Sequence, residues 1–251
     1  GDSSIIRYIW EGYGLDYATE NPVSLFPIYN NAIELVTDNQ NSLSDSYSNY
    51  QSMNLINIAD SYLDAGLYYD AITYILKAIT ADDQNITIEF LYDYVNQHIV
   101  DAPQMINALV NYSSVDSTYL GEDKLFLSLI HYYRSEDELG NYYIDDYLKL
   151  NPDDFRSFEL IGDYHFKQED YLSALFNYRK SELINPNSLY TLHRSSLCLY
   201  HLGYHQEVIE ISTKILKQDR YHQDAYYFRA LSYIDIDNYK KAIKDFTEYI
   251  L

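Results

Sequence analysis

The chain has 251 residues, of which 38 are acidic and 17 basic, so its formal charge is -21 and its pI is about 4.4. Binding to nucleic acid or to an anionic membrane surface depends on clustered Lys and Arg, so this charge argues against both functions. The hydrophobic fraction of 47% suits a protein with a sizeable core, and the absence of long apolar runs predicts a soluble chain. The sequence leaves two locations open, the cytoplasm or export with a removed signal.

Apolar residues already have helical spacing in the N-terminal part of the chain. Only 8 Gly and 5 Pro are present, and apolar residues recur every three or four positions, which favours helices over strands. Residues 1–51 are predicted to be a divergent helical region that ends in a polar linker over 39–50. The first clear unit follows at 52–85, where Gly66 separates two helical segments.

A constant period relates the units that follow. Phe158, Leu192 and Tyr226 occupy equivalent places at equal steps along the chain. The period predicts a degenerate helix pair at 86–120, units at 121–154, 155–188 and 189–222, and a unit truncated at its end at 223–251.

These units resemble tetratricopeptide repeats, which have a period of about 34 residues and a W-x2-L-G-x2-Y, A-x3-F, P pattern. The sequence departs from the family pattern in three ways. No unit has the Trp, Arg229 stands where an apolar residue is usual, and Gly140 replaces an Ala of the second helix. The resemblance implies an all-α fold, an α-solenoid in which helix-turn-helix units stack into a right-handed superhelix.

The resemblance also implies a concave groove, lined by the first helix of each unit. We expect the groove to be acidic in its N-terminal part and aromatic in its C-terminal part, since Tyr combines apolar area with a hydrogen-bonding tip. An alternative is that these aromatic side chains pack against neighbouring units. The predicted groove residues are Asp60, Asp64, Asp163, Tyr190, His193, Leu197, Tyr200, His201, Tyr227, Leu231 and Ile234.

The predicted ligand is a protein or peptide. Some family members bind chaperone C-terminal carboxylates through a clamp of Lys, Arg and Asn, but here Asn57 and Lys167 are isolated, and Asp60 and Asp64 would repel a carboxylate. The acidic part of the groove favours a segment that carries Lys or Arg.

No motif predicts catalysis, a metal site or a cofactor. His201 and His205 are four residues apart, but Gly203 between them predicts a turn, so the two rings need not share a helix face. Cys198 lies among small, packed positions and is predicted to be inert.

The leading hypothesis is therefore a non-catalytic scaffold that binds a peptide or a partner helix. Two alternatives remain open. The chain stops at Leu251 without a polar capping helix, which suggests the sensor or docking part of a larger protein, or a self-associating assembly factor.

Overall fold

A computed structural model describes residues 48–81, 86–99, 103–115 and 121–250, so residues 1–47 of the predicted N-terminal region lie outside the described residues. Residues 48–50, predicted as the end of the polar linker, are helical in the structure. All regular secondary structure within these ranges is α-helical, which confirms the predicted fold class. None of the described helices is long and apolar enough to cross a membrane. The helices are α1 (Ser48–Asp64), α2 (Tyr68–Ala81), α3 (Ile88–His98), α4 (Pro103–Val115), α5 (Glu122–Tyr133), α6 (Asp137–Leu150), α7 (Phe155–Lys167), α8 (Tyr171–Ile184), α9 (Leu189–His201), α10 (His205–Gln218), α11 (Gln223–Asp235) and α12 (Tyr239–Ile250).

The chain divides into two compact units. Unit 1 contains α1, α2 and α4, whereas unit 2 contains α3 and α5 to α12. The structure therefore differs from the predicted helix pair at 86–120, because its two helices belong to different units. Within unit 1, α4 packs on α2, and within unit 2, α3 packs on α5 and α7.

In unit 1, α1 and α2 form a hairpin whose helices approach closely. Ala59, Ala71 and Ala78 are fully buried, and such small side chains allow a short distance between helix axes. Larger side chains fill the space beside them, and the Tyr62 and Tyr74 rings stack with centroids 5.4 Å apart.

Unit 2 contains four consecutive hairpins, α5–α6, α7–α8, α9–α10 and α11–α12, and each helix packs on the next along the chain. Their turns repeat one backbone conformation at a constant interval. Ser135, Glu169, Gly203 and Asp237 have φ angles of 60°, 59°, 79° and 58°, all in the left-handed region. The period found in the sequence is therefore also a period of backbone geometry.

Two hairpins place a glycine opposite a tyrosine ring. A Cβ on Gly140 of α6 would lie 2.4 Å from the Tyr132 ring of α5, and a Cβ on Gly162 of α7 would lie 2.5 Å from the Tyr178 ring of α8. Both distances are far below van der Waals contact. Gly140, a departure from the family pattern, is thus explained by the ring that occupies the space of a side chain.

Buried ion pairs join neighbouring hairpins of unit 2. The Arg156 guanidinium on α7 donates to Asp154 at 2.6 Å and to Glu122 of α5 at 3.1 Å, and it lies 3.3 Å from the Tyr147 hydroxyl of α6. The Arg156 side chain is only 3% exposed. A charge at this depth is retained because several acceptors surround it.

Arg229, another departure from the family pattern, also has buried partners. Its guanidinium makes a bidentate ion pair with Asp245 of α12, at 2.7 and 2.8 Å, and donates to Thr213 of α10 at 3.0 Å. One side chain therefore links three consecutive helices.

We predict that Arg156→Met lowers the free energy of unfolding by about 3 to 5 kcal/mol, because it removes the guanidinium that pairs with the buried Glu122 and the half-buried Asp154. Urea denaturation of the purified chain measures the change. Arg179→Met is the matched control, since the Arg179 side chain is 42% exposed and Glu182 also pairs with Lys214, so loss of the Arg179–Glu182 pair should cost about 1 kcal/mol or less. Equal losses in the two variants would contradict the assignment.

Candidate binding site

Unit 2 contains a cavity of about 980 Å³. Its wall is formed by α3, by the first helices of three hairpins (α5, α7 and α9) and by residues at the start of α11. Five tyrosines line it: Tyr92, Tyr132, Tyr133, Tyr164 and Tyr190. The other lining residues are Glu89, Asp93, Asp163, Phe166, Lys167, Leu189, His193, Arg194, His222 and Asp224.

The cavity brings together three of the predicted groove residues, Asp163, Tyr190 and His193. Asp60 and Asp64 lie on α1 in unit 1 and are half-buried and exposed, respectively. Of the three predicted acidic residues, Asp163 lines the cavity, and its other acidic lining residues are Glu89, Asp93 and Asp224.

The predicted C-terminal aromatic residues make contacts within the stack. The Tyr200 ring meets the Phe228 ring edge-on with centroids 5.4 Å apart, and the Tyr227 and Tyr249 ring centroids are also 5.4 Å apart. This packing is the alternative that the sequence analysis left open. The remaining predicted residues outside the cavity lining are Leu197, His201, Leu231 and Ile234.

Asp163 is part of the cavity wall but is not an open acidic surface. Its side chain is buried and accepts hydrogen bonds from the hydroxyls of Tyr178, at 2.6 Å, and Tyr190. The Arg194 Nε atom lies 3.1 Å from the same carboxylate. The expectation that Asp163 contributes negative charge to the groove is thus corrected, because its charge is balanced inside the wall.

Helix α3 supplies three cavity residues that the sequence analysis missed, Glu89, Tyr92 and Asp93. The Tyr133 hydroxyl of α5 donates to the Asn96 side chain of α3, which fixes α3 against the wall. Burial raises the pKa of Tyr92 well above its ordinary value, so its hydroxyl stays protonated. The spacing of three and four residues was a usable signal, but the region lacked the repeat pattern that guided the groove assignment.

The cationic side chains of the wall already have partners. Arg194 also donates to the Tyr190 hydroxyl at 3.2 Å, and Lys167 Nζ donates to the Tyr132 carbonyl at 3.2 Å and to Ser135 Oγ at 2.9 Å. Burial lowers the pKa of His193 to about 4, so this ring is neutral near pH 7.

The two histidines at a spacing of four residues and the cysteine that is predicted to be inert have separate surroundings. The His201 ring stacks on Tyr171 at 4.3 Å, whereas His205 Nδ1 lies 3.3 Å from Asp235. Burial raises the pKa of the Cys198 thiol to about 12. In the part of the chain that the structure describes, no three His, Cys, Asp or Glu side chains are arranged to hold a metal ion.

A second buried carboxylate, Glu159, lies one helical turn before Asp163 on α7. It accepts hydrogen bonds from the hydroxyls of Ser188, at 3.0 Å, Thr191, and Ser181, at 3.4 Å. Burial raises the pKa of Glu159 to about 7, because hydroxyl donors compensate only part of the lost hydration.

Comparison with known proteins identifies the repeat. A family model described as "Tetratricopeptide repeat" matches residues 54–85 and 223–251. A comparison with curated proteins by sequence finds no match.

Solved structures with a similar fold include a crystal structure of MamA, with a TM-score of 0.53 and 16% identity over 61% of this chain and 92% of that chain. A MamA RS-1 ArsTM double mutant has a TM-score of 0.55 and 14% identity over 65% of this chain and 92% of that chain. At these identities the similarity concerns the fold.

We predict that Glu159 makes the stability of the chain depend on pH. Because its pKa is higher in the folded state, the folded state binds the proton more strongly, and stability falls as pH rises from about 4.5 to about 7. Glu159→Gln removes this contribution. Relative to wild type, the free energy of unfolding of the variant should therefore rise by up to about 3 kcal/mol between pH 4.5 and pH 8.

Urea denaturation across that pH range measures the difference between the variants. Glu207→Gln is the control, since Glu207 is exposed in the first turn of α10 and its substitution should leave the pH dependence unchanged. A pH-independent difference between Glu159→Gln and wild type would contradict the prediction.

Proposed function

Since this chain is a tetratricopeptide repeat protein, we propose that it is a non-catalytic protein–protein interaction scaffold that holds a segment of a partner protein in the cavity of unit 2. The observation that carries the proposal is the set of five tyrosines that converge on this cavity from α3, α5, α7 and α9.

The size and lining of the cavity support a protein segment as the ligand. Binding pockets typically occupy about 300 to 1,000 Å³, and this cavity lies at the upper end of that range. A side chain of the partner can pack on a tyrosine ring while its backbone bonds to a hydroxyl. Tyrosines on helices also lose little conformational entropy on binding, which is why they are common at interfaces.

The surroundings of the titratable groups support a non-catalytic role. Asp163 and Arg194 bind each other, Lys167 is bonded to a carbonyl and a hydroxyl, and His193 is 3.6 Å from Asp224. These pairings hold the wall in place, whereas a catalytic site presents an acid or base to a substrate atom.

The test is the selection of ligands from a displayed library of random peptides. Tyr164 lines the cavity and its ring stacks on Tyr132 with centroids 4.7 Å apart. We predict that Tyr164→Ala weakens binding of the selected peptides by about tenfold or more, because a buried aromatic contact is lost. Titration calorimetry measures the affinities, and circular dichroism checks that the variant is folded.

Tyr221→Ala is the matched control for this loss of a ring, since Tyr221 is 74% exposed and does not line the cavity. It should retain wild-type affinity. Selected peptides that bind both variants as tightly as wild type would show that the cavity is not the binding site.

Self-association is a second candidate function, supported by the apolar face of α12. Ile243 and Ile250 are 68% and 80% exposed and, at a spacing of seven residues, lie on the same face of α12. If a second copy covers this face, sedimentation velocity should show a dimer for wild type and a monomer for Ile243→Lys with Ile250→Lys. Leu172→Lys with Leu183→Lys on α8 is the control and should remain dimeric; a monomeric wild type would refute this candidate.

A further inference from the structure

Two carboxylates of the cavity wall lie on the same side of α3. Glu89 and Asp93 are four residues apart, which places them on adjacent turns of one helix face. Both are exposed, and neither has an ion pair with any described residue. Like charges at this spacing repel each other, so a cation that approaches from the cavity would stabilise α3.

Among the described residues that line the cavity, the Lys and Arg side chains already have partners. Arg194 is bound to the buried Asp163, and Lys167 is held by a backbone carbonyl and a hydroxyl. The third open carboxylate, Asp224, has a side chain that is 60% exposed and faces His193, a ring that burial keeps neutral. Negative charge therefore remains at the surface of the cavity.

The same cavity is lined by aromatic rings. Tyr92 and Tyr133 have ring centroids 6.5 Å apart and are tilted by 42°. The wall already shows how a cation is accommodated, since the Arg194 guanidinium lies 5.2 Å from the centroid of Phe166 and 5.3 Å from that of Tyr190. Cations on tyrosine faces are stabilised by the ring quadrupole, and a nearby carboxylate adds to this.

We infer that the partner segment is basic and that it places a Lys or Arg side chain in the cavity, between the tyrosine rings and the carboxylates of Glu89 and Asp93. This inference rests on the proposed scaffold function and adds the chemistry of the partner. An acidic segment would be repelled by these carboxylates. A purely apolar segment would displace the water that hydrates these carboxylates and would supply no polar group in its place. This desolvation costs free energy.

The experiment uses the displayed library and asks which residues the selection enriches. Among peptides whose binding depends on Tyr164, Lys or Arg should be enriched at one position relative to the unselected library. For a synthetic peptide from this set, replacement of that residue by norleucine keeps the alkyl chain and removes the charge, and it should weaken binding by about tenfold.

The corresponding change in the protein is Glu89→Gln with Asp93→Asn. It should weaken binding of the same peptide by about five- to tenfold at low salt and by less at high salt. Glu207→Gln with Glu248→Gln is the matched control. It removes the same charge from exposed positions outside the cavity and should have little effect.

The outcomes separate this inference from the proposed function. The inference of a basic ligand is overturned if the Tyr164-dependent peptides are not enriched in Lys or Arg. It is also overturned if the norleucine replacement leaves the affinity unchanged. In both cases the proposed scaffold function is unaffected. A selection that yields no Tyr164-dependent peptide overturns both. Loss of affinity in the α3 variant but not in its control supports the inference.

Discussion

The cavity wall of unit 2 depends on one buried carboxylate, Asp163. It lies on α7 and accepts hydrogen bonds from Tyr178 of α8 and Tyr190 of α9, while Arg194 of α9 balances its charge. Three consecutive helices are therefore joined at a single point. Comparable ion pairs centred on Arg156 and Arg229 join the helices before and after it. Because buried polar groups with several partners allow few alternative arrangements, these pairs fix the positions of the ring-bearing helices.

The same pairs also determine the charge that a ligand meets. The net charge of -21 is a property of the whole chain, but the cavity is governed by which side chains are paired inside the wall. Asp163 and Arg194 cancel each other, and Lys167 turns toward backbone and hydroxyl acceptors. Among the described lining residues, the open carboxylates are those of α3 and of the start of α11. Electrostatic complementarity at this site is therefore local, since charges beyond about 8 Å are largely screened at physiological salt.

Much of the fold could be predicted from the sequence, because the constant repeat period and the helical spacing of apolar residues are both local signals. They identified the helices and the turn at Gly203, and the structure shows the same period in backbone angles. The candidate site was less predictable. Spacing shows which face of a helix is apolar, but it does not show which helix will cover it. The sequence predicts Asp163 as an open acid, but Tyr178 and Arg194 enclose it. Helix α3 lacks the repeat pattern, but its side chains reach the cavity.

The pairing of glycine with tyrosine reverses between neighbouring hairpins. In α5–α6 the ring belongs to the first helix and Gly140 to the second, whereas in α7–α8 Gly162 belongs to the first helix and the ring to the second. In these two hairpins a glycine faces a tyrosine ring, and either helix can supply the ring. A side chain added at the glycine alone meets an occupied space, and a tyrosine lost alone leaves an empty one. In each of these two hairpins, the glycine and the tyrosine are therefore coupled. They can be substituted without loss of packing only when both residues change together.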